Sequence, residues 1–400
     1  MKAHFIATIT LLLCLQDISS QKLEDWDIAS PLDFETTLSG SFAEMRRNHF
    51  HGGLDLRTNS EENKNVYAIY DGYVAMISIS RTGYGKAAFI RHPNGYTSVY
   101  GHLNGFVPRL DSLLKAKQYN DRKYEVVLML DSMQYPVKKG ELFAKSGNTG
   151  ASGGPHLHFE IRKTDDFTMR NPFLVRNAPY GINDDKSPKI NALKIYGMNH
   201  KGLVNGAEEK ICNVIVAKDR SRKVQVGSGI YAWGEIGFSV KAKDYMTGTG
   251  FSYSPRHIRV FADQQKISEV RIDSFLYSDT RACNSFIDYR QWMKSRDFFM
   301  KSFKSTNSPL HLHPKQPYGT IIIDEERPYL ITCEVEDDFG NKDRVSFTIN
   351  GKKTEIEPFV IDTTEYIRCG ESVFFDKGSF GMRFEKNSLY EDLKHNFKAD

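Results

Sequence analysis

The sequence predicts a mainly β protein of two domains, the second of them β-sandwich-like, and three observations carry this. Four hundred residues exceed the usual size of one compact domain. Short segments rich in β-branched and aromatic residues recur from end to end, separated by Gly, Pro, Asn and Asp turn signals. Apolar residues at helical spacing mark a short amphipathic helix at 106–118, through Phe106, Val107, Leu110, Leu113 and Leu114.

Hydrophobic residues at 40% suffice for true cores, and 26% charged residues is ordinary for a soluble chain. A formal charge of +4 is too weak over this length to indicate nucleic acid. At the N-terminus, Lys2 precedes an apolar run over 5–15, and Ser19-Ser20-Gln21 follows it. That order is the order of a secretory signal over 1–20, so the chain is expected to be exported, periplasmic or secreted. The run is short for a membrane span, and no later segment is long and apolar enough to be one. Leu13 stands before Cys14 where a lipidation signal calls for a small residue, which argues against a lipoprotein. Cys212, Cys283, Cys333 and Cys369 form no CxxC pair, which argues against a thiolate zinc site. Two disulfides by any of three connectivities, or four buried thiols, both remain open.

Taken in order, 21–45 is a polar extension with an edge strand at 36–42. Residues 66–70 and 73–77 are strand-like and flank Asp71-Gly72, a hairpin signal. Further strands are expected at 86–91, 96–100, 126–130 and 142–145. His102 follows the strand 96–100 directly. The glycine-rich loop 146–155 delivers His156-Leu157-His158-Phe159-Glu160-Ile161, whose alternation sets His156 and His158 on one face of a strand. No helical pattern with Lys-Ser/Thr follows that loop, which excludes a phosphate-binding P-loop.

Residues 48–55 read Asn-His-Phe-His-Gly-Gly-Leu-Asp and offer His51 and Asp55 as nitrogen and oxygen ligands for zinc. The glycines between them permit a tight bend. His158 completes a shell of three protein ligands with one position open, the catalytic rather than the closed structural pattern. His102 and His156 remain as histidines outside the shell, one to accept a proton from water and the other to stabilise the developing oxyanion. Zinc, one per chain, would lower the pKa of water to about 7 and polarise a carbonyl.

The ordered motifs at 48–55, at Tyr100-Gly101-His102-Leu103 and at 147–161 resemble those of the lysostaphin/LytM-type zinc metalloendopeptidases, over about residues 42–175. The resemblance implies metal ligands His51, Asp55 and His158 and catalytic histidines His102 and His156. It implies a compact antiparallel β fold with a groove over the metal. It implies peptidoglycan peptides as substrate, cut at glycyl or D-alanyl bonds. Asn48, His49 and Tyr100 are expected to border the groove and contact substrate, with His51 rather than His49 as the ligand. An insertion at 106–136 departs from short family members and is expected to wall the groove or dock an envelope partner.

The domain so defined spans 46–178, and 179–188 reads as a linker. Residues 189–353 show eight strand-like segments, at 192–196, 211–216, 236–242, 258–262, 266–272, 318–324, 329–335 and 344–349. The aromatic stretch 286–303 is expected as a helix or a packing bridge to the first domain. His311-Leu312-His313 repeats the histidine string in a turn-rich stretch without the glycine loop, and is expected to bind no metal. The stretch 337–341 lacks the twelve-residue calcium pattern and reads as a hairpin. Residues 354–400 form a further β extension with a charged end. A non-catalytic envelope factor that binds wall or regulates an amidase is the competing reading; such degenerate relatives typically lack zinc ligands, whereas all five histidine and aspartate positions are present here.

Overall fold

A computed structural model describes residues 25–176, 178–313, 319–358, 366–376 and 381–394. The expected signal segment with Cys14, and the chain end at 395–400, lie outside the described residues.

The first half is built on a sheet whose strands run in the order Leu38–Gly40, Leu54–Arg57, His156–Lys163, Tyr96–Leu103, Lys86–Arg91, Gly72–Ile79 and Val127–Met129. All these pairings are antiparallel. Every residue of Tyr96–Leu103 is buried, so this central strand is covered on both faces. Its neighbour His156–Lys163 is buried at all but its two ends. The sheet therefore places the His51/Asp55 motif, the His102 strand and the His156/His158 strand side by side. A second sheet of three strands, Asn65–Tyr67, Leu142–Lys145 and Gly105–Phe106, packs with it.

Two expectations are corrected here. Residues 66–70 and 73–77 do not form a hairpin: Asn65–Tyr67 pairs with Leu142–Lys145, whereas Gly72–Ile79 pairs with Lys86–Arg91. Asp71-Gly72 bends the chain between two sheets. Gly72 is required by packing, since a Cβ there would lie 2.2 Å from the Arg91 carbonyl oxygen. Gly52 and Gly53, in turn, serve close approach rather than a bend at positive φ. A Cβ on Gly53 would sit 2.1 Å from the Phe159 carbonyl oxygen.

The helix forms at Pro108–Asp121, with Pro at its start and Leu110 and Leu114 buried. Phe106 instead belongs to a short strand. The strand of the inserted region, Val127–Met129, extends the sheet at Gly72–Ile79, with three strands between it and His156–Lys163. By its place in the sheet that strand lies at the edge away from the strand that carries His158.

In the second half, strands appear at each expected segment: Lys189–Val204, Glu209–Val216, Tyr231–Tyr245, His257–Ala262, Gln265–Arg271, Thr320–Ile323, Pro328–Glu336 and Lys342–Gly351. Among the described residues they belong to one eleven-stranded hydrogen-bonded sheet. Tyr231–Tyr245 is its hub, pairing antiparallel with Lys189–Val204 and, at Tyr231 and Ala232, parallel with Lys342–Gly351. All four described cysteines are buried free thiols. Residues 286–303 hold a short helix, Tyr289–Ser295, and the bridge to the first half is aromatic. Phe275 stacks on Phe42 at 5.0 Å and packs on Phe50 at 5.1 Å, and Phe286 meets Phe50 at 6.1 Å. Ser274–Leu276 also pairs with Thr168–Arg170. Among the described residues, no helix is long and apolar enough to cross a membrane.

Candidate metal centre

Strand register brings the centre together. His158 is the register partner of Asp55 on one side and of Gly101 on the other. His51 Nε2, Asp55 Oδ1 and His158 Nδ1 form a triangle with sides of 2.9, 2.8 and 3.0 Å. A tetrahedral zinc with bonds of about 2.0–2.1 Å needs ligand separations of roughly 3.3 Å, so a small expansion of this triangle accommodates the ion. All three residues are buried, and together they form a group able to hold a metal. Two imidazoles and one carboxylate are a donor set that suits zinc.

The other nitrogen of each ring fixes its tautomer. His51 Nδ1–H donates to the Ser41 carbonyl at 2.7 Å, leaving Nε2 free to ligate. His158 Nε2–H donates to Glu160 Oε1 at 2.8 Å, leaving Nδ1 free to ligate. Glu160, fully buried, also accepts from Tyr84 Oη at 2.6 Å and from Arg162 Nε at 2.6 Å. Burial alone would raise its pKa, but Arg162 and His158 hold it at about 2. Arg46 Nη2 donates to Asp55 Oδ2 at 2.7 Å, leaving Oδ1 toward the histidines. A Cβ on Gly40 would fall 2.4 Å from Arg46 Nη2 and 2.5 Å from Asp55 Oδ2, so glycine makes room for that pair.

Charge in the metal-free centre is shared unevenly. Burial lowers the pKa of His51. Burial opposes ionisation of Asp55, yet His51 and the hydrogen bonds from His156 and His158 hold it well below the carboxylate range. Burial would also discharge His158, but Asp55 and Glu160 on its two nitrogens push it up to about 9.

His102 and His156 stand beside this group with ring centroids 4.7 Å apart. His102 takes φ +57° at the end of its strand, and its Nδ1–H donates to the Thr149 carbonyl at 2.7 Å. Thr149 is held in turn by its hydroxyl, which donates to the Leu103 carbonyl at 2.8 Å. The glycine-rich loop thus exists to brace His102. Gly150, at φ +76°, passes so close to Gly85 that a Cβ would lie 2.3 Å from its nitrogen. His156 Nδ1–H donates to the Gly154 carbonyl at 2.8 Å, and its Nε2 lies 3.4 Å from Asp55 Oδ1. Burial, with repulsion from His158 and His156, lowers His102 to about 4.

The remaining expected residues are placed differently. His49 is exposed on a two-residue strand paired with Met45–Arg46, outside the metal group. Asn48 accepts a hydrogen bond from Asn284 Nδ2 at 3.0 Å, across to the second half. Tyr100 is not exposed to contact substrate: it is fully buried against Phe143 and Phe159, and its hydroxyl accepts from Ile69 N–H. His311 and His313 join no ligand group among the described residues. Sequence reasoning missed Arg46, Tyr84, Glu160 and Arg162. The last two were within reach, because the alternation that pairs His156 with His158 continues through Glu160 and Arg162.

The profile of Peptidase family M23 matches residues 49–119, a stretch holding His51, Asp55 and His102. An uncharacterized metalloprotease of Haemophilus influenzae is 32% identical over 152 residues, covering 36% of this chain and 27% of that protein. The DD-carboxypeptidase/endopeptidase Mpg of Neisseria meningitidis is 31% identical over 112 residues, covering 28% and 20%. The chain thus spans about a quarter of the length of these curated relatives. Among solved structures, the catalytic domain of the M23 protein EnpA from Enterococcus faecalis is 23% identical, with a TM-score of 0.26, covering 35% of this chain and 89% of that one. The catalytic domain of lysostaphin from Staphylococcus simulans is 22% identical, with a TM-score of 0.25, covering 39% and 97%. Through residues 49–119, the chain is similar to peptidase family M23.

Proposed function

We propose that the chain is an exported zinc metalloendopeptidase that hydrolyses peptide cross-links of bacterial peptidoglycan at a D-alanyl bond. The observation that carries this reading is the buried triangle of His51 Nε2, Asp55 Oδ1 and His158 Nδ1, flanked by two further histidines that are not part of it. Three protein ligands leave a fourth position open, as catalysis requires and a structural site does not. The D-alanyl bond is favoured by the name of the Neisseria meningitidis relative, and export by the signal-like segment 1–20.

Bound zinc supplies Lewis-acid polarisation of the scissile carbonyl and acidifies water at the open position. The chain's own residues do the rest. Arg46, Ser41 and Glu160 hold the three ligands in their ligating orientations. His102 and His156 both present Nε2, because Nδ1–H of each is committed to a backbone carbonyl. His102 is neutral near pH 7, so its Nε2 accepts the proton of the attacking water and returns it to the departing amine. His156, when its Nε2 also carries a proton, donates that N–H to the carbonyl oxygen as negative charge develops there.

Purified sacculi incubated with the full chain test the reading, with released peptides identified by mass spectrometry. New D-alanyl carboxyl ends are expected. A protein that carries zinc yet releases no peptide ends would support a wall-binding factor instead.

A further inference from the structure

A second group of ligand-type side chains lies away from the metal centre, where three segments of the second half meet. Asp184 belongs to the segment that joins the two halves. Asp244 stands near the end of the long strand Tyr231–Tyr245, and Asp337 begins the turn after Pro328–Glu336. Each offers a carboxylate oxygen within 4.8 Å of the others. Asp244 is 5% exposed and Asp337 2%. Unpaired carboxylates so close and so deep repel one another, and burying them without a counter-charge is costly.

The hydrogen bonds of the group are arranged in an informative way. Asp184 Oδ1 accepts from Lys186 N–H at 3.0 Å and from Thr247 N–H at 2.9 Å, whereas its buried Oδ2 has no hydrogen-bond partner. Asp337 Oδ1 accepts from the N–H groups of Phe339 and Asn341 at 2.8 and 2.9 Å, which fixes the carboxylate in its turn. Asp244 Oδ1 is buried with no hydrogen-bond partner at all. Two orphaned carboxylate oxygens therefore lie in the group, one of them on a side chain that is almost wholly enclosed. Burial, then repulsion from Asp337, Asp184 and Asp338, pushes Asp244 up to about 8, in keeping with a group short of positive charge.

We infer that Asp184, Asp244 and Asp337 form a calcium site that clamps the joining segment onto the second half. The donor set is all oxygen and multiply anionic, which selects a hard divalent cation. Ligands of one calcium ion stand no more than about 4.6–5.2 Å apart, and these oxygens all lie within 4.8 Å of one another. The site shares no residue with the His51 centre and does not depend on the peptidase reading.

Equilibrium dialysis of the metal-stripped full chain against CaCl2 tests the inference, in the wild type and in the variants Asp184→Asn and Asp244→Asn. The wild type is expected to take up calcium at one ion per chain and to melt at a higher temperature when it does. Asp184→Asn is expected to weaken uptake at least about tenfold, and Asp244→Asn to abolish it. Should Asp244→Asn fail to fold, the more exposed Asp184→Asn decides alone. The inference is overturned if the wild type takes up no calcium at millimolar concentration, or if the folded variants bind it as the wild type does. It is equally overturned if Asp244→Asn is stabilised and calcium has no effect on either protein, since Asp244 would then be a protonated carboxyl sharing its hydrogen.

Discussion

His51 Nδ1–H rests on the Ser41 carbonyl and His158 Nε2–H on Glu160, so the lone pairs left over are the two that meet Asp55 Oδ1. Which atoms face one another is thus chosen by their neighbours, and those neighbours are testable. Glu160→Gln keeps the shape of the side chain but removes the charge that orients His158 and pairs with Arg162. Zinc affinity is expected to fall about 10- to 100-fold, read from competition with a chelating dye. Unchanged affinity would show that Glu160 does not orient the ligand. A second outcome follows from the raised pKa of His158. Near neutral pH the metal-free ring is a cation, and a ligand must be neutral, so zinc displaces its proton. Calorimetry in buffers of differing ionisation heat should show release of about one proton per zinc. At this scale the sequence was legible where residue type and chemistry coincide, as for His51, Asp55 and His158. It was silent on Arg46, whose guanidinium reaches Asp55 only because Gly40 leaves space, and on Tyr84, which acts through a fold-dependent contact with Glu160.

Among the elements, strands were legible because burial and β-branching set their pattern, whereas pairing partners were not. Residues 66–70 and 73–77 read as a hairpin, yet the chain bends there from one sheet into another. A turn signal fixes a local bend but not which edge offers the better ladder. The glycine-rich loop is the element that most directly conditions chemistry. Gly150→Ala would place a methyl at positive φ against Gly85, displacing Thr149 from His102. We predict about a 100-fold loss of turnover with zinc content unchanged, measured on the same preparation. Loss of zinc together with activity would mean that the loop supports the whole centre instead. His92 conditions stability. It packs edge-on to Trp26, with Nδ1 at the Asp71 carbonyl and Nε2 at Ser98, and burial lowers its pKa to about 4. The unfolded chain takes up this proton near pH 6.5 and the folded chain only near 4. The contribution is therefore complete above pH 6.5 and is lost as pH falls toward 4, to a total on the order of 3 kcal/mol. His92→Gln should flatten the fall of the denaturation midpoint over that interval.

For the whole molecule, the recurring β-rich segments made a mainly β chain legible, but not how closely its distant segments are joined. The expected linker is tied down by side chains. Asp184 accepts from Thr247, and its carbonyl accepts from Asn341 Nδ2. Strand Ser274–Leu276 of the second half lies beside Thr168–Arg170 of the first, and Phe275 enters the core between Phe42 and Phe50. Most of these contacts join residues more than a hundred positions apart, and no local pattern announces them. They place the second half against the strand that carries His158, through Thr168–Arg170. The central claim remains that His51, Asp55 and His158 hold a metal while His102 and His156 act on substrate. Zinc content, measured by atomic spectrometry on the full chain and its single alanine variants, tests it most directly. Zinc should be bound at about one ion per chain in the wild type, in His102→Ala and in His156→Ala, and be lost in His51→Ala and His158→Ala. Loss of the metal from His49→Ala with retention in His51→Ala would contradict the account.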